Sequence, residues 1–166
     1  MFDLEQDYAR YHDNIYRFIY FLTLDAVLAE DLMQETFIRA FNGRQSFRQQ
    51  SNTLTWLRTI ARNLVYDDMK RKKLIRFITF QKQHQPLQLA LTPEQLLHTK
   101  EEIQWLYEGI AKLKFEYRAA IVLRKIEELS IKETAEILGW NEAKVRNNTE
   151  RGMKELQKRM RGERDG

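Results

Sequence analysis

The sequence predicts an all-α protein built as two small helical domains joined by a flexible linker, the C-terminal one a helix-turn-helix domain. Three observations predict it. Apolar residues recur at three- and four-residue spacing through most of the 166 residues, which is the period of an amphipathic helix and not of a strand. Only 6 Gly and 2 Pro interrupt them, too few for the closely spaced turns of a sheet protein. The periodicity lapses once, between Leu74 and Leu91, where Gln81, Gln83, Gln85 and Gln88 with His84 and Pro86 replace it. A stretch of that composition reads as a linker between two cores.

The first domain is expected over residues 1–75. Tyr8, Tyr11, Ile15, Phe18 or Ile19, and Leu22 line one stripe of a first helix. Asp25 caps a second helix that runs to about Asn42, with Leu28, Leu32, Thr36, Phe37, Ala40 and Phe41 turned inward and Asp31, Gln34, Glu35 and Arg39 outward. Gly43 ends it, and a polar loop from Arg44 to Asn52 carries a single aromatic, Phe47. A third helix from Thr53 to Lys73 buries Trp56, Leu57, Ile60, Ala61, Leu64 and Val65, and three helices with short connections make one bundle.

The linker is placed at 76–91; Ile75, Phe77, Ile78 and Phe80 give its beginning an apolar character suited to docking. Thr92-Pro93-Glu94-Gln95 restarts a helix through an N-cap Thr, a Pro at the first helical position and a Gln three residues after the cap, so the second domain is expected over 92–166. Its first helix reaches about Ala111 along Leu96, Ile103, Leu106 or Tyr107, and Ile110. The next, Phe115 to Ile126, turns Ala119, Val122, Leu123 and Ile126 inward. Ser130 and Glu133 form a capping box for a short helix to Leu138, and Asn141 caps a last helix from Glu142 to about Met160.

Charge and composition then restrict the function. The net charge is +4, and residues 144–166 alone, with 8 Lys/Arg against 4 Asp/Glu, account for all of it. The run Lys70-Arg71-Lys72-Lys73 is a second basic patch, so two local surfaces suit a polyanion. With 0 Cys there is no disulfide framework, thiolate metal site or cysteine nucleophile. His12, His84 and His98 are widely spaced, and no metal is assigned to them. The run Phe18 to Leu24 falls far short of the roughly 20 residues that cross a bilayer, and the start Phe2-Asp3-Leu4-Glu5 lacks a basic flank, so a cytoplasmic protein is expected. The pairs Asp67-Asp68, Glu101-Glu102 and Glu127-Glu128 are helix neighbours that point about 100° apart. With no Gly-rich phosphate loop either, no enzyme, cofactor or small-molecule substrate is expected.

The sharpest local signal runs from Ser130 to Arg146. Ala135 is small where two helices must cross, Gly139 allows the chain to turn with positive φ, and Val145 packs the following helix back. Val145, Thr149, Gly152 and Leu156 share the inner face of the last helix, leaving Arg146, Asn147, Glu150, Arg151 and Lys154 outward. The N-terminal part of such a helix enters a major groove, where Arg146 suits a guanine edge and Asn147 an adenine edge. Asn148 is the nearest competitor for the specific role, and Lys154 and Lys158, two to three turns along, suit phosphates.

Two further blocks are more specific. Ala29-Glu30-Asp31-Leu32-Met33-Gln34-Glu35-Thr36-Phe37-Ile38-Arg39-Ala40-Phe41 is followed by Thr55-Trp56-Leu57-Arg58-Thr59-Ile60-Ala61-Arg62-Asn63-Leu64-Val65-Tyr66-Asp67-Asp68, and then by the helix-turn-helix. Together they resemble the extracytoplasmic-function class of bacterial RNA polymerase sigma factors, over almost the whole chain. The resemblance implies a subunit that binds core RNA polymerase and directs it to a two-part promoter. It implies polymerase contact through Asp31, Gln34, Glu35 and Arg39, and recognition of the melted minus-ten strand through Phe47, Arg62 and Asn63. Double-stranded minus-thirty-five DNA then falls to Lys144, Arg146, Asn147, Asn148, Arg151, Lys154 and Lys158. It also implies an anti-sigma partner, often membrane-anchored, and a stress or envelope-response regulon.

The chain departs from the family pattern at Lys114, where Pro is usual, at Asn148, where a basic residue is usual, and at Gly152-Met153, where a small-then-basic pair is common. Gly152 costs about 0.5 to 1 kcal/mol of helix propensity relative to Ala, so the C-terminal end is expected to fray unless DNA or a partner holds it. The rival reading is a conventional helix-turn-helix regulator with the first bundle as an effector or dimerisation domain; it leaves both N-terminal blocks without a reason.

Overall fold

The computed structural model describes residues 1–48, 51–78 and 100–164, with side chains at 1–48, 51–74 and 101–162. The chain divides into two compact units, Met1–Pro86 and Leu87–Gly166. The described residues form seven α-helices and no strand, and no helix among them is long and apolar enough to cross a membrane.

In the first unit, helix α1 spans Leu4–Thr23 and begins where Asp3 accepts a hydrogen bond from the Gln6 N–H at 2.9 Å. Ile15, Phe18, Ile19 and Leu22 are buried as the stripe predicts, joined by Tyr20 and Phe21. Tyr8 stays at the rim, edge-on to Phe37 with ring centroids 4.9 Å apart. The helix closes on Leu24 in the left-handed region (φ 56°), and Asp25 accepts from the Leu28 N–H at 3.0 Å to open α2, Ala26–Asn42. A left-handed leucine is strained, so the packing of α1 against α2 must hold it.

Helix α2 is rotated from its expected setting. Its buried stripe is Ala29, Met33, Thr36, Phe37 and Ala40, whereas Leu28 and Leu32 are half-buried and Phe41 is 39% exposed. The helix packs on both α1 and α3, and turning the two alanines inward lets the backbones approach. The buried Thr36 hydroxyl donates to the Leu32 carbonyl at 2.7 Å, so it leaves no polar group unsatisfied. A 3₁₀ turn, Arg44–Ser46, leads to α3, Thr53–Ile78. Asn52 caps α3 by accepting from the Thr55 N–H at 2.7 Å. Leu57, Ala61, Leu64 and Val65 are buried on it, while Trp56 and Ile60 are half-buried. The helix runs five residues beyond Lys73, so residues 76–78, expected in the linker, are helical.

The second unit begins, among the described residues, with α4, Lys100–Ala111. The capping signal at Thr92–Gln95 and the Gln-rich stretch lie outside the described residues. Helix α5 covers only Phe115–Ile121, and Val122–Ile126 form a π-helical turn where a continuous helix was expected. The Glu127 N–H reaches the Val122 carbonyl at 2.9 Å and the Leu129 N–H reaches the Leu123 carbonyl at 3.0 Å, one and two residues beyond the α spacing. The Arg124 guanidinium donates to the Leu129 carbonyl, and Glu128 takes up the turn with a positive φ of 54°. Helices α6, Ile131–Leu138, and α7, Glu142–Arg164, complete the unit, with α7 packed on α4, α5 and α6.

Gly152 has a reason that sequence periodicity does not reveal. A Cβ there would sit 2.9 Å from Ile121 Cδ1 and 3.0 Å from Tyr117 Cβ, closer than carbon atoms approach. The missing side chain lets α7 touch α5, and the helix runs through Met160 to Arg164. Gly109 serves the same end on α4, where a Cβ would be 3.0 Å from Leu156 Cδ1. Arg118 on α5 is 8% exposed and donates to the Leu113 carbonyl at 2.7 Å. Burial pushes its pKa down to about 10, which leaves it charged at neutral pH.

Candidate nucleic-acid interface

The helix-turn-helix is fixed by local bonds at each joint. The Ser130 hydroxyl accepts from the Glu133 N–H at 3.0 Å while the Glu133 carboxylate accepts from the Ser130 N–H at 2.8 Å, closing the capping box. Gly139 ends α6 with φ 68°. The Trp140 N–H bonds to the Ala135 carbonyl at 3.0 Å, and Asn141 caps α7 by accepting from the Lys144 N–H at 2.7 Å. Ile137, Leu138 and Val145 are at most 1% exposed, so α6 and α7 meet through a closed apolar seam. That seam sets which side of α7 faces outward.

The residues expected to read DNA fall into three groups. At 100° per residue, Asn147, Arg151, Lys154 and Lys158 form a stripe opposite Val145 and Leu156, and all four are exposed. Arg146 lies on one flank, where its guanidinium pairs with Glu142 at 3.3 Å. Lys144 lies on the other flank, its ammonium 4.4 Å from the centre of the Trp140 ring. Asn148 is turned toward the helix itself: its side-chain amide donates to the Lys144 carbonyl at 2.8 Å. Lys154 pairs with Glu150 at 3.0 Å. These ion pairs are solvent-exposed, so they are weak and readily exchanged for a phosphate.

In the first unit, Phe47 stacks on Trp56 with centroids 4.3 Å apart and planes 16° from parallel. Phe2 meets the same indole edge-on at 5.6 Å. One face of Phe47 is therefore covered, and the loop bearing it is tied to α3 and to the start of the chain. Periodicity placed Trp56 in the core but held no signal for Phe2, because this contact is long-range. Asn63 is exposed on the same side of α3 as Trp56, about two turns along. Arg62 lies on a flank, its guanidinium 5.4 Å from the Tyr66 ring centre, and its Nε is buried without a hydrogen-bond partner among the described residues. Farther along, the adjacent carboxylates part company. Asp67 is exposed, while Asp68 is buried and binds Arg71 at 3.0 Å and Lys72 at 3.1 Å, so two of the four cations in the Lys70–Lys73 run are already matched.

The four α2 residues expected to meet a protein all reach the surface, but they do not form one patch. Glu35 and Arg39 pair at 3.0 Å on the flank shared with Leu28 and Leu32. Asp31 and Gln34 occupy the outer ridge with Val27, 65% exposed, and Ile38, 54% exposed. Phe41 continues this ridge, with the Arg44 guanidinium 3.9 Å over its ring. Sequence reasoning missed Val27, Ile38 and Phe41; their four- and three-residue spacing about Asp31 and Gln34 carried the signal. The ridge thus alternates exposed apolar and polar side chains.

Comparisons with known proteins agree with this division into two units. The Sigma-70 region 2 family model matches residues 8–75, and the Sigma-70 region 4 model matches residues 103–156. The chain is 34% identical over 157 residues to the ECF RNA polymerase sigma factor SigX of Bacillus subtilis, covering 92% of this chain and 81% of that one. It is 33% identical over 159 residues to SigW of the same organism, covering 91% and 85%. Among solved structures, the sigma factor RpoE in complex with the anti-sigma factor NepR from Bartonella quintana superposes with a TM-score of 0.82 at 22% identity, covering 95% of this chain and 96% of that one.

Proposed function

The chain belongs to the extracytoplasmic-function class of sigma-70 family RNA polymerase sigma factors, and from that membership we propose how its two units divide the work. As a sigma factor it binds core RNA polymerase and directs promoter-specific initiation of transcription. In the proposed division, residues 1–75 bind the core polymerase and open the minus-ten element, residues 76–91 span the promoter spacer, and residues 92–166 hold the minus-thirty-five element. The observation that carries this reading is the exposed Asn147–Arg151–Lys154–Lys158 stripe behind a fully capped turn, on the unit that the region 4 model matches.

Polymerase contact is assigned to the α2 ridge: Asp31 and Gln34 with Val27, Ile38 and Phe41, flanked by Glu35 and Arg39. The minus-ten strand is assigned to Phe47, Arg62 and Asn63. Phe47 and Trp56 supply aromatic surface for an unpaired base and Asn63 a hydrogen-bonding edge, the combination by which single strands are held. The reading makes the protein a cytoplasmic, non-enzymatic subunit serving a stress or envelope-response regulon. It also gives the protein an anti-sigma partner, as the solved RpoE has in NepR.

Run-off transcription on genomic fragments tests the reading. Core polymerase with the purified chain is expected to initiate at discrete sites, with no nucleotide hydrolysis beyond the nucleotides incorporated. Absence of selective initiation would overturn it in favour of the conventional regulator.

A further inference from the structure

Lys144 has a backbone fixed at the helix start and a side chain placed by one ring contact. Its N–H is bonded to the Asn141 side chain at 2.7 Å, its carbonyl accepts from the Asn148 amide at 2.8 Å, and its ammonium lies 4.4 Å from the Trp140 ring centre. The indole is itself placed by its backbone bond to Ala135 and by the left-handed Gly139 before it. Trp140 is half-buried and Lys144 exposed, so the cation lies over the ring within reach of solvent. A lysine side chain ordinarily samples many rotamers and loses that freedom on binding a phosphate. Here the contact with the indole ring supplies part of that ordering before DNA arrives.

We propose that Trp140 is a positioning residue that presents Lys144 as a pre-organised phosphate contact beside the minus-thirty-five element. The proposal rests on the assignment of α7 to that element. An ammonium has three N–H donors; the ring face attracts the cation without accepting all of them, so a phosphate oxygen can bind while the indole stays in place.

The test is a double-mutant cycle in reconstituted holoenzyme on a promoter recovered by run-off selection, with affinity measured across a salt series. Lys144→Ala is expected to lower the salt slope by about one. Trp140→Leu is expected to weaken binding roughly two- to five-fold in the parent and to have no further effect once Lys144 is Ala. Trp140→Phe should restore most of the affinity. Fluorotryptophan incorporation, which weakens the ring face while leaving its shape nearly unchanged, should reduce affinity in the parent and not in Lys144→Ala, and it keeps the test decisive if Trp140→Leu misfolds. Equal losses in both backgrounds would make Trp140 a packing residue and overturn the proposal. If Arg151→Ala and Lys158→Ala lower the salt slope while Lys144→Ala does not, the proposal falls and α7 remains the DNA-binding helix. If none of the three changes the slope, the assignment of α7 falls with it.

Discussion

At the residue scale, the two side chains best suited to read bases differ in what they must give up. Asn147 projects directly outward, whereas Arg146 must first leave Glu142, an exposed partner at 3.3 Å. An exposed pair contributes about 0 to 1 kcal/mol, less than the 1 to 3 kcal/mol of discrimination that a bidentate base contact supplies. Arg146→Ala and Asn147→Ala are therefore expected to relax preference at one or two upstream positions by about 1 to 3 kcal/mol. Lys154→Ala and Lys158→Ala should instead weaken all sequences alike. Selection over a randomised upstream element with holoenzyme checks this, and unchanged preferences in both former variants would move the reading face elsewhere. A second residue bears on stability alone. The Tyr20 hydroxyl is buried with no hydrogen-bond partner among the described residues, and burial, then the neighbouring Tyr16, raises its pKa to about 12. Tyr20→Phe removes an unsatisfied group and is expected to raise stability by up to about 1 kcal/mol, read from urea unfolding; a loss of stability would show that the hydroxyl has a partner.

At the scale of elements, what was legible in the sequence is what local bonds decide. Asp25, Ser130 with Glu133, and Asn141 cap their helices as their spacing predicts, because a cap joins residues only three positions apart. Settings decided by distant neighbours were not legible. The rotation of α2 toward Ala29 and Met33 and the covering of Phe47 by Trp56 follow from what packs against them, and the π turn at Val122–Ile126 has no periodicity signal of its own. Gly152 shows the difference most plainly, since propensity assigns it a cost and the contact with α5 assigns it a purpose. Gly152→Ala is accordingly expected to destabilise the second unit by about 1 to 3 kcal/mol, despite the better helix propensity of Ala, because Tyr117 Cβ is close to its own backbone and cannot swing away. Thermal unfolding followed by circular dichroism measures it, and an unchanged or higher midpoint would refute it. Glu128 offers the opposite case. Its positive φ costs a non-glycine residue about 1 to 2 kcal/mol, partly offset by the entropy a glycine loses on folding. Glu128→Gly should therefore gain about 0.5 to 1 kcal/mol in the same experiment, and a loss would mean that the carboxylate is needed at the turn.

At the scale of the whole molecule, the two units carry chemically different surfaces. The ridge on α2 alternates Val27 and Ile38 with Asp31 and Gln34, while α7 presents amide and cationic side chains. Surface position allows binding to be separated from folding. Asp31→Ala combined with Ile38→Ala is expected to reduce core polymerase affinity about ten-fold with helical circular dichroism unchanged, and equal core affinity would remove the ridge from the interface. The fit of Gly152 against α5 has a mechanical consequence as well. Arg146 stands six positions before Gly152, about 9 Å along a stiff helix, so the glycine is a fulcrum for α7 and, with the α6 seam at Val145, sets where the proposed reading end lies. A tilt of about 10° at the fulcrum would displace the tip by roughly 1.6 Å, enough to part a hydrogen bond from a base edge. On the proposed reading of α7, the volume of Tyr117 and Ile121 against Gly152 helps to set the tilt of the helix, so substitutions at these two positions are expected to shift promoter preference without altering a proposed base contact.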